Sequence, residues 1–387
     1  MSTPENPEVV HSVGDDSVLI LGGGPVGLMT ASVLAFYGVK SVVLERNSEP
    51  TKWPKMDLTN ARSMELLRKI GLSEGLRRKG VDESTITSEE AVYTVLGGFY
   101  EPFEIWIDEI LVRSTFQPSI AVANNFAGPE LRLFLAGDSA HMNIPTGGYG
   151  MNTGMGDAFD IAWKLAAVIN GYGGEGLLRS YEQERKPIAA QNVGRSGVHM
   201  SVHLAAVELM GKNAAEIDKK SEEGLRIRNS IHQHYSEHDG ENTDLGIEMG
   251  YRYVSPVCMP DESEDEPTWD PHTYLPTTWP GSRAPHVFLK DESPIFDHLG
   301  PAFSLVEFSD EEQPDRGSSL LVEAAKVLGL PMSYVTLVGE DHAASVWQKP
   351  LVLVRPDGHV AWRGISIQHP SQAYLILETI VGHHGSA

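Results

Sequence analysis

Residues 17–46, SVLILGGGPVGLMTASVLAFYGVKSVVLER, decide the fold of the N-terminal part of this chain. They predict a buried strand over 17–21, a helix over 25–37 and a second strand over 41–44, a βαβ unit. Gly22, Gly24 and Gly27 form G-x-G-x-x-G between the first strand and the helix. Such glycines permit a tight turn, let a pyrophosphate approach the backbone and let the helix pack on the sheet. The stretch predicts a dinucleotide crevice, with a plain glycine turn as the alternative.

The residues around these glycines complete the predicted nucleotide site. Pro25 and Val26 open the helix, Glu45 ends the second strand, where its carboxylate can accept hydrogen bonds from ribose hydroxyls, and Arg46 follows it. A second G-x-G-x-x-G, at 171–176, lies between two predicted helices without a strand before it. We interpret that copy as a loop.

A second glycine-rich segment, LRLFLAGDSAHMNIPTGGYGMN over residues 131–152, extends the predicted site. It indicates a buried strand over 131–136, a glycine loop and a helix over about 152–169. Asp138 could accept hydrogen bonds from ribityl hydroxyls, or it could simply cap a helix. The helix start at Gly150 to Asn152 can stabilise negative charge on the pyrimidine edge of a flavin. Together the two segments predict bound FAD, whereas an NAD-dependent dehydrogenase would leave the Asp138 segment unused.

The remaining pattern gives a domain organisation. Residues 1–16 are expected to be disordered, 17–200 form the FAD-binding domain, 201–285 a helical segment with a proline-rich acidic linker, and 286–387 a C-terminal α/β domain. Helices are predicted over 60–70 and over 175–190, the latter interrupted near Pro187, and the acidic run 261–266 is interpreted as solvated linker. The C-terminal pattern predicts strands over 303–307 and 334–338, a helix over 320–328 and a hairpin over 351–362 that turns at Pro356-Asp357-Gly358.

Charge and cysteine usage exclude several classes of protein. Thirty basic and 53 acidic residues give a net charge of −23, which disfavours nucleic acid and anionic membrane surfaces as partners. Cys258 is the single cysteine, so no intrachain disulfide and no CxxC pair can form. No apolar run approaches the ~18 residues of a spanning helix. We therefore expect a cytoplasmic protein.

Several segments carry a resemblance to a known family. Residues 22–46, 60–72 (NARSMELLRKIGL), 133–168 and 177–189 (LLRSYEQERKPIA) closely resemble the FAD-dependent aromatic hydroxylases related to p-hydroxybenzoate hydroxylase and phenol hydroxylase. Residues 351–363 (LVLVRPDGHVAWR) resemble the end of the thioredoxin-like C-terminal domain of phenol-hydroxylase-type members. The resemblance implies an α/β fold with a doubly wound, Rossmann-like FAD domain, a helical segment and a thioredoxin-like domain, here without CxxC.

The resemblance also implies roles for individual residues. Arg62 would lie along the cofactor, Gly137 and Asp138 would hold the ribityl chain, and Pro145 would lie beside the isoalloxazine, without any assignable acid or base. The segment under the pyrimidine edge would comprise Gly148, Gly150, Met151 and Asn152. NAD(P)H would reduce the flavin, which with oxygen would hydroxylate a phenolic or polyketide-type aromatic substrate. No metal is implied, and a homodimer is one option.

The chain departs from the family pattern in its centre. Only about 50 residues separate Gly80 from Leu131, too few for a substrate domain of ~100 residues, and they contain no Asp-Gly pair. Residues 81–130 are therefore interpreted as a shortened remnant, produced by a natural deletion or by a shortened gene model. The alternative function is a non-catalytic or uncoupled FAD-binding remnant. Tyr149 and Asp160 replace the glutamine and asparagine of many relatives.

Two other residue groups suggest chemistry that we do not favour. Ser139 and His141 could belong to a hydrolase, but two residues apart on a loop they cannot be assumed to meet. A histidine-rich stretch has spacings that could bind a divalent metal, yet we interpret it as a solvated helix end. It contains His232, His234, Glu237, His238 and Asp239.

Overall fold

The computed structural model describes residues 17–49, 59–78, 119–213, 216–238, 241, 243–309 and 316–383. The predictions for residues 1–16, for most of 81–130 and for Asp239 lie outside these ranges.

The N-terminal βαβ unit is confirmed. Strand β1 (Val18–Leu21), helix α1 (Pro25–Phe36) and β2 (Ser41–Leu44) follow one another, and the strands pair in parallel with Val18 opposite Ser41. Helix α1 buries Met29 and Val33 against the core. On the strands only Ile20 is buried, whereas Leu21 is 79% and Leu44 51% exposed. One side of this strand pair therefore has no apolar cover from the described residues.

Helices α2 (Ala61–Lys69) and α3 (Ser73–Arg77) follow, and β3 (Ala121–Val122) pairs with β4 (His141–Met142) in antiparallel fashion. The strand predicted over 131–136 is wrong. This segment folds back on the residues before it, because Gly128 N donates to Leu133 O (2.8 Å) and Leu135 N donates to Phe126 O (2.8 Å). Its hydrogen bonds are thus used locally, and the chain runs directly into a 3-10 turn, Gly137–Ser139.

Two long helices form the centre of the molecule. Helix α4 (Tyr149–Ile169) begins three residues before the predicted start, and α5 (Glu175–Lys212) runs without a break through Pro187. The predicted interruption is wrong. Pro187 and Gln183, whose carbonyl loses its helical donor to the proline, are both exposed, so water can satisfy that carbonyl. The second G-x-G-x-x-G begins in the turn after α4 and ends in the first two residues of α5, without a strand before it, as predicted.

Helices α6 (Glu222–Glu237), α7 (Leu245–Glu248) and α8 (Ile295–His298) precede the C-terminal sheet. That sheet contains β5 (Phe303–Ser309), β6 (Met332–Val338), β7 (Leu351–Val354) and β8 (Val360–Gly364) in the order β6-β5-β7-β8. Strand β5 is parallel to β6 and antiparallel to β7. The predicted hairpin is confirmed between β7 and β8. Helix α9 (Ser318–Leu328) was predicted, whereas α10 (Asp341–Trp347) and α11 (Pro370–Ile380) were not.

Residues 262–266 of the acidic run are exposed, as expected of a solvated segment, but the run is also anchored. Asp261 accepts from Arg363 Nε (2.8 Å), and Glu264 pairs with Arg363 Nη2 (2.8 Å) and Lys349 Nζ (2.7 Å). Asp261 and Glu264 are therefore held by two cations in and beside the C-terminal sheet, 85 to 102 residues later in the chain.

The two halves of the chain share one core. Trp163 of α4 meets Phe303 of β5 edge to face, with ring centroids 5.9 Å apart, and both side chains are fully buried. Val33 of α1 and Leu377 of α11 belong to the same cluster. Of the helices in the described part, none has the length and apolar character needed to cross a membrane.

Candidate functional site

The first glycine turn is shaped by backbone contacts. Gly22 has a φ of +112°, which favours glycine, and a Cβ on Gly27 would lie 2.0 Å from Gly22 O. Gly24 is the N-cap of α1, where no side chain caps the helix, and a Cβ there would meet nothing within 4 Å. The first N–H groups of a helix have no partner in a preceding turn. The start of α1 therefore offers donors beside open space, as an anion site requires.

Glu45 lies directly beside this turn. Its carboxylate accepts from Asn47 N (2.9 Å) and Gly23 N (2.7 Å), and these backbone hydrogen bonds lower its pKa. The side chain is exposed, as is Arg46 next to it. An ionised Glu45 thus borders the open space above Gly24, and its remaining lone pairs can accept hydroxyl donors.

The two glycine segments meet at Val26. A Cβ on Gly137 would lie 2.8 Å from Val26 Cγ2, and a Cβ on Gly154 of α4 would lie 2.7 Å from the same atom and 3.2 Å from Gly137 Cα. Gly137 also has a φ of +59°. The first turn of α1, the Gly137–Ser139 turn and α4 are therefore in direct contact. The structure brings both sequence-predicted segments into contact with each other, beside the predicted crevice.

Asp138 projects from this junction. Its side chain is exposed and accepts no hydrogen bond from the part of the chain that the structure describes. The turn is closed instead by Ser139, whose Oγ donates to Ala136 O (2.8 Å). Asp138 is therefore not acting as a helix cap. Ser139 also does not reach His141, which pairs with other residues, so the two cannot form a hydrolase site.

Sequence reasoning missed the residues that hold the Gly137 turn from below. Asp157 of α4 is fully buried, and its Oδ2 accepts from Gly137 N (3.0 Å) and contacts His141 Nε2 (2.8 Å). Its Oδ1 accepts from Arg185 Nε (2.8 Å) of α5. Burial alone would raise the pKa of Asp157, but Arg185 and these hydrogen bonds hold it below its usual range. No sequence motif that we considered signals this contact.

The second helix start is held by side chains from distant parts of the chain. Gly147 and Gly148 have φ values of +82° and +62°, and Gly147 N donates to Glu241 Oε1 (2.7 Å). Asn152 Oδ1 accepts from Ser63 Oγ (2.9 Å) and so joins α4 to α2. The N-cap Gly148 has no side-chain cap, and a Cβ on Gly150 would meet nothing within 4 Å. This helix start, like that of α1, faces open space.

The first residues of this loop and helix are placed in different surroundings. Pro145 is exposed, and Gly148, Gly150, Met151 and Asn152 are half-buried. Tyr149 is buried; a Cβ on Gly147 would overlap its ring. Its hydroxyl lies 3.0 Å from His199 Nε2 and donates to Asp244 Oδ2 (3.2 Å). Burial, with Asp244 next in size, raises the pKa of Tyr149 and keeps the phenol neutral.

Arg62 is the one sequence-predicted site residue that the structure directs elsewhere. Its guanidinium is buried, donates to Asp357 O (2.6 Å) and Tyr251 Oη (3.3 Å), and pairs with Glu65 (3.2 Å). These groups belong to α2 and to the C-terminal half of the chain. The side chain is already engaged by protein groups, and its predicted position along the cofactor stays a prediction.

A buried ionic cluster attaches the β7–β8 hairpin to α4 and α5. Arg355 pairs with both carboxylate oxygens of Glu184 (2.7 and 2.9 Å) and with Asp160 (3.1 Å). Lys164 contacts Glu184 (2.6 Å) and Asp160 (2.7 Å). Burial raises the pKa of Asp160 to about 7, whereas Arg355 and Lys164 outweigh burial and lower the pKa of Glu184 to about 2.

Cys258 lies against the same cluster. Its thiol is 3.2 Å from Arg355 Nη1, and burial raises its pKa to about 12. A thiol with such a pKa is not a nucleophile at neutral pH. The histidine-rich stretch is equally unremarkable: His234 Nε2 contacts Val202 O (2.9 Å), and no group of three or more metal-ligating side chains is assembled within the described ranges.

The donor set of the crevice fits FAD. Two uncapped helix starts face open space, Glu45 is exposed beside the first of them, and Asp138 is exposed on the turn that contacts Val26. An extended ligand with an anionic pyrophosphate, two polyol segments and an anionic ring edge would match each of these groups in turn.

Comparisons with known proteins agree with this geometry. Residues 15–97 and 105–196 match the family model described as FAD binding domain, and residues 277–383 match that of the aromatic-ring hydroxylase C-terminal domain.

The chain is 32% identical to the FAD-dependent monooxygenase apdD of Emericella nidulans, over 96% of this chain and 91% of that protein. It is 42% identical to the FAD-dependent monooxygenase opdD of Penicillium oxalicum, over 79% of this chain but only 59% of that protein. The fold is similar to the crystal structure of the flavin-dependent monooxygenase PieE in complex with FAD and substrate, with a TM-score of 0.78, 20% identity and coverage of 96% and 100% of the two chains. The chain belongs to the FAD-dependent aromatic-ring hydroxylase family of monooxygenases.

Proposed function

We propose that this protein is an FAD-dependent monooxygenase that hydroxylates a phenolic or polyketide-type aromatic substrate with NAD(P)H and oxygen. The observation that carries the proposal is the contact of Val26 with Gly137 and Gly154, which joins two glycine-rich helix starts into one crevice. A cytosolic location, which the sequence leads us to expect, is part of the same proposal, and a homodimer is one option for the oligomeric state.

Each group in the crevice has a role in holding FAD. The start of α1 at Gly22, Gly24 and Gly27 would bind the pyrophosphate through backbone N–H groups, and Glu45 would accept from the adenosine ribose. Asp138 would accept from the ribityl hydroxyls. The loop from Pro145 to Gly148 and the start of α4 would lie at the isoalloxazine, where the positive end of the helix dipole stabilises negative charge on the pyrimidine edge.

When bound, the flavin accepts a hydride from NAD(P)H and activates oxygen. The balanced reaction consumes NAD(P)H, a proton, oxygen and the arene, and yields NAD(P)+, the hydroxylated arene and water. The protein's own task is to orient the ring system and to exclude water. The match to an aromatic-ring hydroxylase C-terminal model supports an aromatic substrate.

The alternative of a non-catalytic remnant is not favoured, because the relatives reported above are monooxygenases. The shortened centre remains part of the proposal. The alignment with the Emericella protein runs over 568 positions against 387 residues in this chain, so long gaps fall in this chain.

We therefore expect weak coupling. Most of the NAD(P)H oxidised should yield hydrogen peroxide in place of hydroxylated product, because water that reaches the reduced flavin favours peroxide release. Parallel assays of NAD(P)H consumption, peroxide and product check this. Product formed in a one-to-one ratio with NAD(P)H would contradict it.

The proposed function is tested by loading purified protein with FAD and adding NADH or NADPH anaerobically, with and without candidate phenols. Bleaching of the flavin that a phenol accelerates, followed by one added oxygen in the product after air is admitted, is the expected result. Protein that binds no FAD would overturn the assignment. Protein that binds FAD but whose flavin is reduced by neither NADH nor NADPH would favour the alternative of a non-catalytic remnant.

A further inference from the structure

Asp157 lies where α4, the first turn of α1 and the Gly137–Ser139 turn come together. It lies on α4 one turn after Gly154, and its carboxylate reaches Gly137 N at 3.0 Å. Gly137 is itself wedged against Val26, where the two glycine segments touch. Asp157 is thus the one carboxylate among the described residues that connects the body of α4 to the turn bearing Asp138.

The carboxylate is held in a fixed orientation. Oδ2 serves Gly137 N and His141 Nε2, and Oδ1 serves Arg185 Nε. Arg185 is immobilised in turn, because its other nitrogens donate to Thr153 O (3.0 Å) and Tyr253 Oη (3.0 Å). Charge-assisted hydrogen bonds of this kind are stronger than neutral ones and constrain geometry more tightly.

The hydrogen bond from the Gly137 N–H group links Asp157 to the direction of Asp138. A glycine at a φ of +59° has neighbouring conformations of similar energy, so its backbone alone does not fix the direction of the next residue. A buried hydrogen bond to an ionised acceptor removes that freedom. The side chain whose direction is then fixed is that of Asp138, which is exposed and accepts no hydrogen bond from the described chain.

We propose that Asp157 is a positioning residue for FAD: by holding the Gly137 N–H, it aims the Asp138 carboxylate at the ribityl chain, and His141 and Arg185 hold Asp157 for that purpose. This inference rests on the proposed function. It predicts that disturbing Asp157 weakens the ribityl and flavin contacts while leaving the adenosine end intact, because α1 and Glu45 do not depend on this hydrogen bond.

The test compares Asp157→Asn with Asp160→Asn. Asp160 lies one turn further along the same helix, is equally buried and also faces an arginine, but it does not contact the crevice. Apoprotein of each variant is titrated with FAD and, separately, with ADP. For Asp157→Asn we expect the Kd for FAD to rise at least ~10-fold, about 1.4 kcal/mol, with the Kd for ADP within about 2-fold of wild type. For Asp160→Asn both constants should stay within about 2-fold.

A second readout separates positioning from general loosening. The circular dichroism of bound flavin should change in Asp157→Asn and not in Asp160→Asn, because it reports the chiral surroundings of the isoalloxazine, whose position depends on the ribityl chain attached to it. If Asp157→Asn does not fold, His141→Gln takes its place with the same expected split between FAD and ADP. Equal losses for FAD and ADP, or unchanged FAD binding, would overturn the inference. Wild-type protein that binds no FAD would overturn the proposed function and this inference with it.

Discussion

The two helix starts that face the crevice are built differently. The start of α1 is formed by contiguous residues, 22–27, and Glu45, which follows the neighbouring strand, accepts from Gly23 N. The start of α4 is held by side chains from much later in the chain, since Gly147 contacts Glu241 and Tyr149 contacts His199 and Asp244. Each turn has a carboxylate on a glycine N–H, but only the first is local in sequence. The adenosine end should therefore be rigid and the flavin end adjustable.

The largest effect is expected from Gly27→Ala. The added Cβ would lie 2.0 Å from Gly22 O, a backbone atom that cannot move without opening the turn. We expect the Kd for FAD to rise more than ~100-fold, above about 2.7 kcal/mol, together with a lower melting temperature. The matched control is Gly194→Ala on α5, where nothing lies within 4 Å and alanine should stabilise the helix by up to about 1 kcal/mol. Wild-type affinity in Gly27→Ala would show that this turn does not bind the cofactor.

Gly24→Ala sharpens the comparison, because it adds the same methyl group to open space. The N-cap φ of −73° suits alanine, so the free energy of unfolding should fall by no more than about 1 kcal/mol. The methyl group would fill the space proposed for the pyrophosphate, and the Kd for FAD and for ADP should both rise roughly 10-fold or more. Titration of the two ligands measures this, and unchanged binding of ADP would place the pyrophosphate elsewhere.

Tyr149→Phe probes the flavin end. It removes hydrogen bonds to His199 and Asp244, whereas Asp244 keeps Arg195 as a partner at 2.5 Å. Loss of a buried hydrogen bond costs about 1 kcal/mol, so we expect the Kd for FAD to rise about 5-fold and the Kd for ADP to remain unchanged. A similar loss for both ligands would mean that the two ends are not independent.

Glu241→Gln should have the smallest effect at neutral pH, about 2-fold on the Kd for FAD, because glutamine still accepts from Gly147 N. The difference should appear in acid. Burial opposes ionisation of Glu241, but Gly147 N–H and His203 outweigh it and lower its pKa. A carboxylate with a lowered folded-state pKa adds stability above its usual pKa and loses it as the pH falls through the lowered value.

Chemical unfolding between pH 6 and pH 3 checks this prediction. The free energy of unfolding of wild type should fall more steeply toward acid than that of Glu241→Gln, most clearly below about pH 4.5, the ordinary range of a glutamate. If the free energy of unfolding fell with pH at the same rate in both proteins, ionised Glu241 would not stabilise the start of α4.

The difference between the two helix starts also explains what the sequence could reveal. The βαβ unit was predictable because its strands, glycines and Glu45 lie within thirty residues and each has a local signature. The approach of Gly137 to Val26 was predictable only in general terms, because both glycine-rich segments were expected to contribute to one FAD site. The wrong prediction of a strand over 131–136 could not be avoided from the apolar pattern of this segment. The hydrogen bonds that fold the segment back join it to Phe126 and Gly128, which lie outside it.

Long-range charge pairs were beyond the reach of pattern reasoning. The acidic run 261–266 has the composition of a linker, and only its contacts with Arg363 and Lys349 make it structure. Arg62 has the position of a cofactor ligand in the motif, yet the hairpin carbonyl of Asp357 takes its guanidinium. Asp157 carries no motif of its own, because its role depends on where α4 places it relative to Gly137.

Arg355 couples the stability of the C-terminal half of the molecule to that of the N-terminal half. It belongs to the β7–β8 hairpin, yet its charge neutralises Asp160 and Glu184 on the two central helices, all without access to water. If the hairpin detached, the carboxylates of Asp160 and Glu184 would lose Arg355 and would share Lys164 as their remaining cation in the cluster. Buried carboxylates without enough positive charge beside them are strongly disfavoured. Melting should accordingly proceed as a single cooperative transition, and neither half should survive limited proteolysis as an autonomous fragment.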